Sequence, residues 1–153
     1  MSETCETPEL WLHNQICFAV HSTAHAFTAA YKPHLDPLNL TYPQYLVMLL
    51  LWEKNDQSVS ELGKPLFLDS GTLTPLLKRL QATGYINRTR DLNDERVMRI
   101  TLTEAGKALK QKAICIPHEM LGAMGMSVEQ VMTLGQDVRK LGLALRSDAG
   151  GRS

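Results

Sequence analysis

No stretch of this sequence is apolar over the ~18 residues a bilayer-spanning helix needs, so a membrane anchor is not expected. The first six residues are acidic where a secretory leader is basic, and no apolar segment follows them, so no leader is expected either. Cysteine is scarce, three residues without paired spacing. That argues against a disulfide scaffold and for a reducing cytoplasm. Net charge is absent in the sum, 16 Lys and Arg against 16 Asp and Glu. Internal repeats and low-complexity segments are absent too. What is present is 153 residues with 44 % apolar content, the length of one domain and enough for a real core.

The zero sum hides a partition. Residues 1–57 hold two Lys/Arg against six Asp/Glu, whereas residues 58–101 and 102–153 each hold seven against five. The middle segment concentrates arginine, at Arg88, Arg90, Arg96 and Arg99. Affinity for nucleic acid depends on the charges that reach phosphate, so a neutral total does not exclude DNA.

That middle segment organises the rest. Ser58 and Glu61 form a capping box that opens a short helix. Leu73, Leu76, Leu77 and Leu80 then lie at spacings of three and four, an apolar stripe on a second helix that Gly84 stops. Pro75 fits only near a first helical turn, so this helix is predicted to begin between Asp69 and Thr72. Strand-like Tyr85–Thr89 and Val97–Leu102 flank a polar loop from Arg90 to Arg96. Helix, turn, helix and β-hairpin in this order predict a winged helix-turn-helix and DNA binding. The plainer alternative for Asp69–Thr83 is an amphipathic helix with a solvated charged end.

Helices are expected on both sides. One runs from Leu10 to about Lys32, ended by Pro33 and Pro37. Thr41 with Gln44 opens a second, nearly unbroken apolar helix through Trp52, buried on most sides. Thr103 caps a helix to about Cys115, with Pro117 as a bend. Ser127 with Gln130 opens the last, where Val131, Leu134, Val138, Leu141 and Leu145 keep the helical rhythm. Residues 150–153 read as a frayed end. The expected fold is mainly α with a small β-hairpin wing, a single domain over residues 1–153. In it, residues 1–57 and 103–153 supply sensing and dimerisation helices around the 58–102 winged segment. The terminal helices carry more apolar surface than so small a domain covers internally, so a second copy is expected to cover it. A two-fold dimer would set two recognition helices about one DNA turn apart, matching a pseudo-palindromic operator.

Candidate DNA contacts follow from this placement. Ser70, Thr72 and Thr74 are short donor–acceptors for base edges or phosphates, and Lys78 and Arg79 can hold the backbone. Asp94, two residues before Arg96, can orient its guanidinium for entry into the minor groove. The alternative is an exposed ion pair with no role.

One further constellation stands upstream. Helical geometry sets His21 and Tyr31 each within about 40° of Cys17 around the axis, with His25 farther round. A histidine one turn away favours the thiolate, the form that attacks peroxide. By its residues alone, Cys17 fits a small buried hydrophobe better. Cys17, His21 and His25 on one helix do not converge on a tetrahedral ion unaided, so no metal and no cofactor are expected.

Together these features resemble the multiple-antibiotic-resistance regulator (MarR) family of bacterial repressors, and within it the organic hydroperoxide resistance regulators (OhrR). Gln15–Ala19, Leu40–Leu49 and Leu68–Leu80 carry the resemblance, and Asp94–Arg96 with Leu102–Thr103 continue it, over roughly residues 10–106. The resemblance implies a cytoplasmic homodimeric repressor rather than an enzyme. A cysteine at the position of Cys17 is oxidised by organic hydroperoxide, and the protein then leaves DNA. It also implies tyrosines four and fourteen residues after that cysteine, from the partner subunit, as hydrogen-bond donors to the thiolate. Tyr31 matches the second, while His21 stands at the first.

Attack on peroxide yields a sulfenic acid that a second thiol can trap. Cys115 is a candidate resolving thiol, although the two-cysteine members carry theirs nearer Leu121–Ala123, and a small cellular thiol is the alternative. Cys5 reads as an incidental exposed thiol. Oxidation is expected to favour a dimer geometry that no longer matches the groove spacing. Other functions stay open: a repressor released by a reversibly bound phenolic or aromatic-acid ligand, with Cys17 as mere lining; a thiol peroxidase acting through Cys17; or a protein-interaction module on a degenerate winged helix.

Overall fold

Local signals set most of the elements in this computed structural model, which describes residues 7–150. Short 3-10 turns at Pro8–Leu10 and Leu12–Asn14 precede α1, Ile16–Leu35. The expected helix from Leu10 to Lys32 is therefore corrected at both ends. At its start Trp11 and Gln15 take extended backbone, with ψ of 135° and 109°, and break the ladder. At its end Pro33 sits inside the last turn, where its missing N–H forfeits a single bond, and Leu35 beyond it is buried in the core. Packing thus carries the helix past the proline. Pro37 lies in the 3-10 turn Asp36–Leu38, which left-handed Asn39 closes.

α2, Tyr42–Glu53, begins with the expected capping box: Gln44 N donates to Thr41 Oγ1 at 3.4 Å and Thr41 N to Gln44 Oε1 at 2.8 Å. It buries Tyr45, Val47, Met48 and Leu51. The strand β1, Gln57–Ser58, leads into α3, Val59–Leu66, whose Ser58–Glu61 capping box also forms. α4, Ser70–Thr83, is capped by Asp69, whose Oδ1 accepts from Thr72 N at 2.7 Å, and stops at Gly84 with φ 88°. The helix begins inside the expected window, and Pro75 lies one turn deeper than its start. Leu73, Leu77 and Leu80 are fully buried, and Leu76 is half-buried.

β2, Ile86–Arg90, pairs antiparallel with β3, Met98–Leu102, from Ile86 opposite Leu102 to Arg90 opposite Met98. β1 adds a strand to the other edge of β3, with Gln57 opposite Ile100 and Ser58 opposite Arg99. The wing is thus a three-stranded sheet, order β1-β3-β2, where a hairpin was expected. Ile86 and Ile100 point into the core. α5, Glu104–Ala113, follows directly. Thr103 Oγ1 accepts from Gly106 N at 3.0 Å and donates to Gly84 O at 2.6 Å, so one hydroxyl ties the start of α5 to the end of α4.

The chain divides into two compact units, residues 1–113 and 114–153. In the second, α6, Ile116–Ala123, has Pro117 in its first turn, and the Ser127–Gln130 capping box opens α7, Val128–Gly150. α7 buries none of its residues and exposes Leu134, Val138, Leu141 and Leu145. In the first unit α1 buries only Leu35 and exposes Ile16, Phe18, Val20 and Phe27. Among the described residues no helix is long and apolar enough to cross a membrane. Cys5 and residues 151–153 lie outside the described residues, and Gly150 closes α7.

Candidate functional site

A groove of about 730 Å³ runs between α3, the start of α4 and the wing loop. Ser60 and Lys64 line it from α3, Phe67 from the turn, Ser70 from α4, and Arg96 and Met98 from the wing. Phe67 is 60 % exposed and holds the left-handed conformation that ends α3. Ser60, Lys64 and Phe67 were not singled out by sequence reasoning. A large aromatic ring at the turn of a helix-turn-helix was the available signal.

On α4, Ser70 and Thr72 are exposed, and Thr74 is half-buried with its Oγ1 donating to Ser70 O at 2.7 Å. The Thr74 proton is therefore committed and its lone pairs remain. Lys78 and Arg79 are exposed on the face turned away from Leu73, Leu77 and Leu80. Asp69 keeps its carboxyl below the ordinary carboxylate range, chiefly through the hydrogen bond from the Thr72 backbone, so the cap stays ionised.

At the wing tip Asp94 holds Arg96 in a two-point fork, Nε to Oδ1 at 3.0 Å and Nη2 to Oδ2 at 3.1 Å. The Arg96 side chain is nevertheless 90 % exposed. That fork lowers the Asp94 pKa and raises that of Arg96. The other hairpin arginines are engaged within the fold. Arg88 Nη1 donates to Gln81 Oε1 at 3.4 Å, and Arg90 Nη1 to Glu95 O at 2.8 Å. Arg99 turns back to Asp56 and Glu61, at 2.9 and 3.4 Å. Of these three, only the charge of Arg99 is offset by carboxylates among the described residues.

Cys17 lies in the first turn of α1, and its side chain is exposed among the described residues of the single chain. His21, one turn on, has its ring against that of His25, with centroids 4.6 Å apart. Tyr31 packs on Tyr42 and Tyr45, at 4.8 and 5.7 Å. Burial, reinforced by those two phenols, raises the Tyr31 pKa, so it stays protonated and remains a hydrogen-bond donor. Fourteen residues of helix separate it from Cys17, about 21 Å along the axis, so the chain does not bring its own Tyr31 to its own Cys17. Among the described residues no three His, Cys, Asp or Glu side chains are grouped to hold a metal ion. In the second unit Cys115 is exposed at the turn before α6.

Residues 29–113 match the family described as transcriptional regulator SarA/Rot. The chain is 48% identical over 150 residues to the HTH-type transcriptional regulator TtmR of Methylorubrum extorquens, covering 98% of this chain and 77% of the relative. It is 48% identical over 134 residues to the organic hydroperoxide resistance transcriptional regulator of Bacillus subtilis, covering 88% and 86%. Among solved structures it resembles AbfR of Staphylococcus epidermidis. Reduced AbfR bound to DNA superposes with a TM-score of 0.78 at 33% identity, over 88% of this chain and 94% of that one. AbfR with its disulfide formed gives 0.62 at 37% identity, over 85% and 91%.

Proposed function

The chain belongs to the MarR/SarA family of winged-helix transcriptional regulators, and from that premise we propose a homodimeric repressor that organic hydroperoxides switch off through Cys17. The exposed Cys17 thiol in the first turn of α1 is the observation that carries the reading. DNA-bound relatives support duplex DNA as the partner and, with it, a cytoplasmic location, and relatives that are regulators speak against the peroxidase alternative. The exposed apolar residues of α1 and α7 supply the surface on which a second copy packs.

In that dimer each recognition helix, α4, enters the major groove of a half-site. Ser70, Thr72 and Thr74 meet base edges or phosphates, Lys78 and Arg79 hold the backbone, and Arg96, oriented by Asp94, enters the minor groove. As the family resemblance implies, Tyr31 reaches the Cys17 of the other protomer, and the length of helix between the two in one chain is compatible with that. His21 stands one turn from Cys17 and lines the same pocket. The Cys17 thiolate attacks the terminal oxygen of the hydroperoxide. An S–O bond forms as the O–O bond breaks, the alkoxide leaves and is protonated to the alcohol, and the sulfur becomes a sulfenic acid. A second thiol, from Cys115 or a small cellular thiol, then attacks that sulfur, forming S–S and releasing water. A covalent adduct inside a packed helix interface favours a different dimer geometry, and the α4 spacing no longer fits the operator. The solved disulfide form of AbfR supports such an oxidised state as a stable species of this fold.

The test uses a duplex that the wild-type chain selects from a random-sequence library. Cys17→Ser should bind it with unchanged affinity and stay bound in cumene hydroperoxide, which releases the wild type. Release of the variant by peroxide would sink the reading. Release by a phenolic acid with no dependence on Cys17 would favour a ligand-gated repressor.

A further inference from the structure

We propose that Arg99 is the positioning residue that fixes the wing against the helix-turn-helix, so that Arg96 reaches DNA at a set distance from α4. The proposal rests on the DNA-binding reading above.

Arg99 lies on the outward face of β3, opposite Ser58 of β1. Its guanidinium donates to three acceptors on two residues. Nε donates to Asp56 Oδ1 at 2.9 Å, Nη2 to the Asp56 carbonyl at 2.7 Å, and Nη1 to Glu61 Oε2 at 3.4 Å. The same Glu61 Oε2 accepts from Ser58 N at 2.7 Å, closing the cap of α3. One side chain therefore joins β3 to the loop before β1 and to the first turn of α3. It is only 28 % exposed, and its planar fork with several donors suits it to such a joint.

Position makes the joint matter. Deeper in the sheet, Ile100 is fully buried and Leu102 N donates to Asn55 Oδ1 at 2.8 Å. Farther out, β3 pairs only with β2, as Met98 does with Arg90. Arg99 thus ties β3 to the body close to the wing tip, three residues from Arg96. If α4 occupies the major groove and Arg96 the adjacent minor groove, the sugar–phosphate strand between them must run through the groove lined by Ser60, Lys64 and Met98. The angle of the wing sets the width of that channel. Without the tie the wing pivots about its base, and ordering it on DNA costs binding free energy.

The experiment measures affinity of the full-length dimer for the library-selected duplex by fluorescence anisotropy. In the wild-type background Arg96→Ala should weaken binding about tenfold, the loss of one groove contact. In an Arg99→Gln background the same change should weaken it less than about threefold, because a free wing no longer delivers Arg96. Asp56→Asn removes one charge while leaving β3 intact, and asparagine keeps the left-handed backbone of that position, so it should reproduce part of the effect even where Arg99→Gln folds poorly. Arg99→Lys, which keeps charge but not the fork, should fall between. Equal Arg96→Ala losses in all three backgrounds, with only melting temperature lowered, would overturn the positioning role while leaving DNA binding intact. A wild-type chain that selects no duplex would overturn both.

Discussion

The Asp94 carboxylate holds the Arg96 guanidinium in a two-point fork on a wing tip where the arginine remains almost wholly exposed. A pair this open adds little to folding; if Arg96 enters the minor groove as proposed, the part left to Asp94 is to pre-orient the cation. Asp94→Asn should leave the melting temperature within about a degree or so, as for an exposed ion pair, and weaken operator binding several-fold. Arg96→Ala should weaken binding across sequences and lower the log–log salt slope by about one. Titrations at several salt concentrations check this, and an unchanged slope for Arg96→Ala would remove it from the phosphate or groove contacts.

The span of α1 between Cys17 and Tyr31 yields a second expectation. If the phenol that serves a thiol comes from the partner, neither Cys17→Ser nor Tyr31→Phe homodimers contain an intact site, but their heterodimer contains one. Tyr31→Phe keeps the ring packed on Tyr42 and Tyr45, so the variant isolates the hydroxyl. Its oxidation by cumene hydroperoxide should slow about tenfold or more, the scale of a hydrogen bond to a charged group. Co-expressed heterodimers should recover one fast-reacting thiol. Quenched-flow thiol counting on purified heterodimers decides it, and slow oxidation there would place Tyr31 outside the pocket.

What was legible in the sequence is what is local. The Thr41, Ser58 and Ser127 capping boxes and the Gly84 stop each join atoms within a few residues, and each formed. β1 escaped because its two residues gain strand character only by pairing with Ile100 and Arg99, about forty positions away. Pro33 misled because the burial of Leu35 outweighs a single forfeited bond. The site divided along the same line. Asp94 and Arg96, two residues apart, could be paired on sight. The diversion of Arg99 to Asp56 and Glu61 could not, since nothing in the spacing of 43 and 38 residues announces it. The same distance effect hid the exposure of Cys17, whose surroundings depend on what packs on α1.

Glu61 gives a pH dependence with a defined sign. The Ser58 backbone hydrogen bond, with Lys54 and Arg99 nearby, lowers its pKa from the ordinary 4.5. A carboxyl depressed in the folded state stabilises fully above the unfolded value and loses that contribution as pH falls through the folded one. Glu61→Gln keeps the capping geometry without the charge. Its melting temperature should therefore lie below wild type by a few degrees at most at neutral pH, and the gap should close below about pH 4.5. Thermal melts across that range check it; a gap that widens in acid would contradict the assignment.

Among the described glycines, Gly106 leaves the least room for a side chain. A Cβ there would collide with the Tyr85 carbonyl oxygen, which is backbone and already accepts from Thr103 N at 3.1 Å. Neither neighbour can yield cheaply. The Gly106 carbonyl also accepts from Trp52 Nε1 at 2.9 Å, joining α5 to α2. Gly106→Ala should therefore force α5 off the sheet edge and cost about 1–3 kcal/mol, as overpacking does. Gly122→Ala on α6, where nothing lies within 4 Å of the added atom, should instead stabilise by about 0.5–1 kcal/mol through helix propensity. Urea denaturation of the two variants beside wild type separates steric from conformational effects. Equal stability of Gly106→Ala and wild type would mean that α5 is free to shift, and the tie from Trp52 would then be too weak to hold it.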